Sequence, residues 1–208
     1  MAMTEPKQAE MEQAKPKRAR AKRARPAEPA PVERKLTEED FLALPDTGHK
    51  VELVDGEVKI VPTGWEHGQI IIRLILLMAP HALPHGQMAD SSTGCRMASG
   101  NIRVPDISFI RKERAPQGDA LQEFLDGAPD LAVEVISPNE NHTDMMTKVG
   151  EYLESGAQHV WQVFPESRRV VVYRSLDQVF TLEAEEDLDG GDLLPGFRCR
   201  VADLFASE

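Results

Sequence analysis

Leu131-Ala132-Val133-Glu134-Val135-Ile136-Ser137-Pro138, followed after a helical stretch by Val160-Trp161-Gln162-Val163-Phe164, decides the fold of this chain. Both runs are short, apolar and rich in β-branched residues, and Pro138 bounds the first, so each reads as a buried strand. Between them Met145, Val149 and Leu153 recur every four residues from about Asn141 to Ser155, with Gly156 as a stop, which predicts a helix. A strand, a helix and a second strand over 131–164 imply a right-handed crossover, and therefore a mixed α/β sheet with helices packed on it.

Working outward, Val104 to Ile110 reads as another buried strand, and residues 112–129 as a long charged loop with room for one helical turn. Ile70, Ile71, Leu74, Leu77 and Met78 give an apolar stripe at helical spacing from about Glu66 to Ala79, closed by Pro80 and Pro84. Val51 to Val54 and Glu57 to Ile60 flank Asp55-Gly56, a pair that tolerates the positive φ angles of a type I′ turn, so an N-terminal hairpin is expected. Thr37 can cap a short helix running to about Leu44, ended by Pro45. Downstream, Val170 to Tyr173 pairs back on the Trp161 strand across Pro165-Glu166-Ser167-Arg168, and Val179 to Leu182 adds a further strand.

Charge divides the chain. Residues 1–35 carry ten Lys/Arg against five Asp/Glu, which leaves 14 basic and 30 acidic residues after position 35. The first 35 residues mix Ala, Pro, Glu, Lys and Arg without apolar periodicity and read as a disordered basic tail; 36–208 read as one folded domain. Lys15, Lys17, Arg18, Arg20, Lys22, Arg23 and Arg25 suit loose contact with nucleic acid, or serve as a solubility tail. The acidic body argues against a broad phosphate-tracking surface, because Lys and Arg supply most non-specific nucleic-acid affinity. No 18-residue apolar run is present, and Cys95 and Cys199 form no close pair, so a soluble cytoplasmic protein with free thiols and no membrane contact is expected.

Two acids interrupt apolar strands. Alternation puts Glu134 and Ile136 on one face and Val133 and Val135 on the other, so a single carboxylate enters a greasy strand; Asp106 does the same in the 104–110 run. A shared cation would offset the desolvation of both. Mg²⁺ is held by one or two carboxylates with waters retained, and it activates a water beside a phosphate. A lysine two residues beyond Glu134 would complete such a site, but that position is Ile136; the nearest substitute is Lys148, on the flank of the helix's buried stripe. Spacing alone equally allows Asp144 and Lys148 to form an i, i+4 surface pair.

Glu134-Val-Ile-Ser-Pro, then Asp144, Lys148, Tyr152, Gly156 and Val160-Trp161, with Val51 to Glu57 and Pro105-Asp106, together resemble the Uma-two family of the PD-(D/E)XK nuclease superfamily over about residues 36–205. The resemblance implies a restriction-endonuclease-like α/β fold, with a mixed sheet flanked by helices, and Mg²⁺- or Mn²⁺-dependent hydrolysis of DNA phosphodiesters. By position it makes Asp106 and Glu134 metal ligands, Lys148 the residue that assists the water, and Glu52 a further acid of the site, directly or through a water; a rim carboxylate paired to a neighbour is the plain alternative for Glu52. Asn139-Glu140-Asn141-His142 replaces a stretch that in relatives often carries Ser/Thr and Arg. His67 matches a histidine often seen in the family and reads either as a cleft residue or, more plainly, as a helix cap. His81 and His85 lack the further ligands of a zinc site. A homodimer would let two strands be cut. The competing expectation is a non-catalytic nucleic-acid-binding or regulatory module on a nuclease-like scaffold.

Overall fold

Hydrophobic alternation in Leu131 to Val135 sends Leu131, Val133 and Val135 into one core and Ala132 into another, on opposite sides of a sheet. The computed structural model describes residues 34–45, 48–61, 64–138 and 140–205; the basic tail lies outside these apart from Arg34 and Lys35. In chain order the elements are α1 (Glu38–Leu42), β1 (Lys50–Val54), β2 (Glu57–Val61), α2 (Trp65–Ala82), β3 (Gly86–Asp90), β4 (Cys95–Arg96), β5 (Ile102–Arg103) and β6 (Ile107–Arg111). They continue with β7 (Leu125–Asp126), β8 (Leu131–Val135), α3 (His142–Glu154), β9 (His159–Phe164), β10 (Arg169–Tyr173), β11 (Val179–Leu182), β12 (Asp187–Asp189) and β13 (Arg198–Arg200).

Six strands form the main sheet in the order β11-β10-β9-β8-β6-β3. Only β8 and β9 run parallel in it, with Glu134 opposite Gln162, as the α3 crossover requires. Ile70, Leu74 and Met78 of α2 pack on the face that carries Phe109, Val133 and Trp161, and Phe197 stacks on Trp161 at 5.8 Å. Val149 and Tyr152 of α3 cover the other face against Ala132, Val160 and Val171. A smaller sheet, β2-β1-β5-β4-β7, joins the N-terminal hairpin to the body, and β12 pairs with β13.

The hairpin turn has the expected geometry, with Asp55 at φ 52° and Gly56 at φ 78°. Its amide is anchored from outside, since Asp55 N–H donates to the Asn101 side chain at 2.8 Å. Thr37 caps α1 in a capping box closed by Asp40, and Asn141 caps α3 through the Thr143 amide.

Two sequence expectations change. Helix α2 does not stop at Pro80 but runs to Ala82, because its last turn is anchored: Ala82 is buried and His81 meets the Phe197 ring edge-on at 5.9 Å. The expected strand 104–110 is broken. Ile102–Arg103 belongs to the small sheet and Ile107–Arg111 to the large one, so Val104, Pro105 and Asp106 form the passage between sheets.

Candidate active site

Asp106 stands where the chain crosses from the small sheet to the large one. Its own N–H donates to Val133 O at 3.0 Å and its Oδ2 accepts from Val135 N–H at 2.7 Å, so the β8 backbone holds the carboxylate from both ends. His67, in the first turn of α2, places Nε2 3.1 Å from the same Oδ2. The remaining oxygen, Oδ1, accepts from the Lys50 ammonium at 2.8 Å.

Glu134 points to the α3 face of the sheet. Tyr152 OH donates to its Oε1 at 2.6 Å, while Oε2 lies 3.5 Å from Lys148 Nζ and 3.7 Å from Lys50 Nζ. Lys148 and Tyr152 are one helical turn apart, so a single face of α3 supplies both contacts. Lys148 also lies 3.3 Å from Glu52 Oε1 and 3.8 Å from Glu140. It turns inward and is buried, which sets aside the alternative of a solvated pair with Asp144.

Glu52 is 1 % exposed, not a rim residue. Val104 N–H donates to its Oε1 at 3.1 Å and the Arg103 guanidinium to its Oε2 at 3.0 Å. Arg103 also donates through Nε to Glu151, whose other oxygen accepts from Asn101 and Ser99. The acids and bases of the site are thus interlocked through β1, β5, the 104–106 passage, β8 and α3.

Burial and partners move the titrations in different directions. Burial pushes the Asp106 carboxyl up, but hydrogen bonding from His67 and the Lys50 charge outweigh it and hold it at about 2. Burial also works upward on Glu52, which the Lys148 and Arg103 charges nevertheless keep below the ordinary carboxylate range. Glu134 is the exception: wholly buried beside Asp106 and Glu52, its carboxyl is raised despite both lysines. The Lys50 ammonium, disfavoured by burial, is still raised by Glu134 and Asp106. Burial pushes the thiols of Cys95 and Cys199 up to about 12, which leaves them inert.

An acid titration should show the Asp106 contribution. Its folded-state value lies below the unfolded one, so its stabilisation is complete above about pH 4 and is lost as pH falls toward 2, roughly 2 kcal/mol in all. Urea midpoints between pH 5 and 2 should fall more steeply for the wild type than for Asp106→Asn. Parallel curves would show that Asp106 carries no such linkage.

All four residues singled out from sequence, Asp106, Glu134, Lys148 and Glu52, converge here. Lys50, His67, Arg103 and Tyr152 belong with them. Alternation along β1 puts Lys50 on the face of Glu52, and Arg103 interrupts an apolar run between Ile102 and Val104 just as Asp106 does, so the signal for Arg103 was in the sequence. His67 is buried against Asp106 and does not cap α2, where Gly64 holds that position.

The chain thus joins a mixed sheet carrying a helix on each face to a buried cluster of two acids from neighbouring strands and a lysine from the crossover helix. The chain belongs to the Uma2 (Uma-two) family, described as "Putative restriction endonuclease", whose pattern matches residues 38–202. Its fold is similar to that of a crystal structure described as "a putative nuclease belonging to DUF820", from Anabaena variabilis. That likeness has a TM-score of 0.72 and 22% identity, and covers 82% of this chain and 97% of the other. No curated protein matches the chain. No helix among the described residues is long and apolar enough to cross a membrane.

Proposed function

We propose that this protein is an endonuclease that hydrolyses DNA phosphodiester bonds with Mg²⁺ or Mn²⁺ held by Asp106 and Glu134. One observation carries the reading. Val135 N–H and His67 engage one Asp106 oxygen and Tyr152 engages one Glu134 oxygen, so Asp106 Oδ1 and Glu134 Oε2 are left facing ammonium groups, the first Lys50 at 2.8 Å and the second Lys148 at 3.5 Å and Lys50 at 3.7 Å. Among the described residues no group of three or more His, Cys, Asp or Glu is arranged to hold a metal, so the reading rests on the two carboxylates alone as protein ligands. Two hard carboxylates each turning an oxygen toward positive charge fit Mg²⁺ or Mn²⁺, which takes few protein ligands and keeps its waters. When bound, such an ion supplies Lewis acidity and a water of lowered pKa.

The chain's own groups do the rest. Lys148, beside Glu134 and Glu52, orients the attacking water and offsets charge gathering on the phosphate. Glu52 holds Lys148 in place, and Arg103 holds Glu52. The basic run at 15–25 supplies phosphate contacts that the acidic body lacks. A homodimer brings two such sites to the two strands, and the buried thiols suit the reducing cytoplasm.

The alternative, a scaffold that binds nucleic acid without cutting it, draws on the same contact: Lys50 satisfies both acids with no metal at all. Plasmid and linear DNA, with RNA alongside, incubated with full-length protein in Mg²⁺, Mn²⁺ or EDTA separates the two. Cleavage of DNA that needs the cation and disappears in Asp106→Ala is expected. DNA left intact in both cations, or cut equally by the variant, would rule out the nuclease reading.

A further inference from the structure

Lys50 is the one member of the cluster with no role in the chemistry set out above, yet it sits at its centre. Its side chain is 5 % exposed and its Nζ touches both carboxylates, at 2.8 Å from Asp106 Oδ1 and 3.7 Å from Glu134 Oε2. These are the same two oxygens that a divalent ion would take. Lys148 shares Glu134 Oε2, at 3.5 Å, but its other contacts run to Glu52 and Glu140, whereas Lys50 bridges from Glu134 to Asp106. The cluster therefore holds one ammonium beside the acid pair and another within it.

We propose that Lys50 is a tethered counter-ion that fills the metal position of the carboxylate pair, and that a divalent cation binds only by displacing its ammonium. The inference rests on reading Asp106 and Glu134 as metal ligands. A doubly charged ion and an ammonium a few ångströms apart repel strongly in a buried setting, so the ion and Lys50 compete for those oxygens. The lysine can yield. Its backbone stays in the β1–β2 ladder opposite Val61, while four rotatable bonds let the head swing aside. Competition within the chain then lowers cation affinity, and in exchange the metal-free fold keeps its two buried acids compensated.

Mn²⁺ titration of the full-length protein, followed by calorimetry and by the electron paramagnetic resonance of the free ion, tests this without any cleavage assay. Lys50→Met should bind Mn²⁺ about tenfold more tightly or better, melt lower than wild type in EDTA, and gain more melting temperature on adding Mn²⁺. Lys50→Gln, with a neutral polar head, should behave alike and serves if the methionine variant does not fold. Lys50→Arg keeps the charge and should stay near the wild-type affinity. Unchanged or weaker Mn²⁺ binding in the neutral variants, or arginine behaving like methionine, overturns the proposal while leaving the metal reading intact. No Mn²⁺ binding by wild type and neutral variants alike overturns both.

Discussion

Arg103→Ala should lower the melting temperature by about ten degrees or more, the largest loss of stability for any single change in the site. Arg103 is 5 % exposed and its guanidinium bridges Glu52 and Glu151, both buried. Removing it takes a shared cation from two buried carboxylates, leaving Glu52 to Lys148 and Glu151 to its Asn101 and Ser99 hydrogen bonds. Breaking a buried pair by deleting one partner costs about 3–5 kcal/mol, a large part of the roughly 5–15 kcal/mol that holds a domain together. Lysine should recover only part of the loss, because a point charge cannot serve two carboxylates along two directions as the planar fork does. Thermal unfolding of Arg103→Ala and Arg103→Lys gives the answer, and an alanine variant melting within a degree of wild type would contradict it.

Glu134→Gln should do the reverse, leaving the fold standing and extinguishing cleavage. The Glu134 carboxyl is raised in the folded protein, so its charged form costs stability at neutral pH, and that cost fades as pH falls through the raised value. Glutamine imitates the protonated acid. Its amide oxygen still accepts from Tyr152 OH, Lys50 keeps Asp106, and Lys148 keeps Glu52 and Glu140. The melting temperature in EDTA should therefore match or exceed that of wild type. Metal-dependent cleavage of DNA should drop at least about a thousandfold, since a neutral amide is a poor Mg²⁺ ligand and orients no water. A variant that unfolds, or one that cuts at near the wild-type rate, would refute the role given to Glu134.

Strands β8 to β10, helix α3 and the Asp55-Gly56 hairpin were legible because local signals agree there: alternation, four-residue spacing, a capping residue and a positive-φ turn. Strand β3 was not. Gly86 to Asp90 holds two small or polar residues at its ends and takes its place at the sheet edge from pairing with β6, which no local pattern reports. The break at Val104 to Asp106 escaped for a similar reason, since membership of two different sheets is decided by distant partners, Leu53 for Ile102 and Val133 for Ile107. In the site, the acids stood out as charges in apolar runs, whereas Lys50 did not: it sits at a strand start beside His49, where a cation reads as solvent-facing. Only the folded arrangement brings Asp106, 56 positions away, to meet it.

Because Lys50 and Glu52 come from the first hairpin, Asp106 from the crossing between sheets, and Lys148 with Tyr152 from the helix after β8, no stretch of the chain holds the whole constellation. A polypeptide still emerging from the ribosome with α3 unmade has Lys50 for its acids but neither Lys148 nor Tyr152 for Glu134. The cluster is therefore completed by the docking of distant elements rather than by any local motif, and a chain cut short before α3 cannot assemble it.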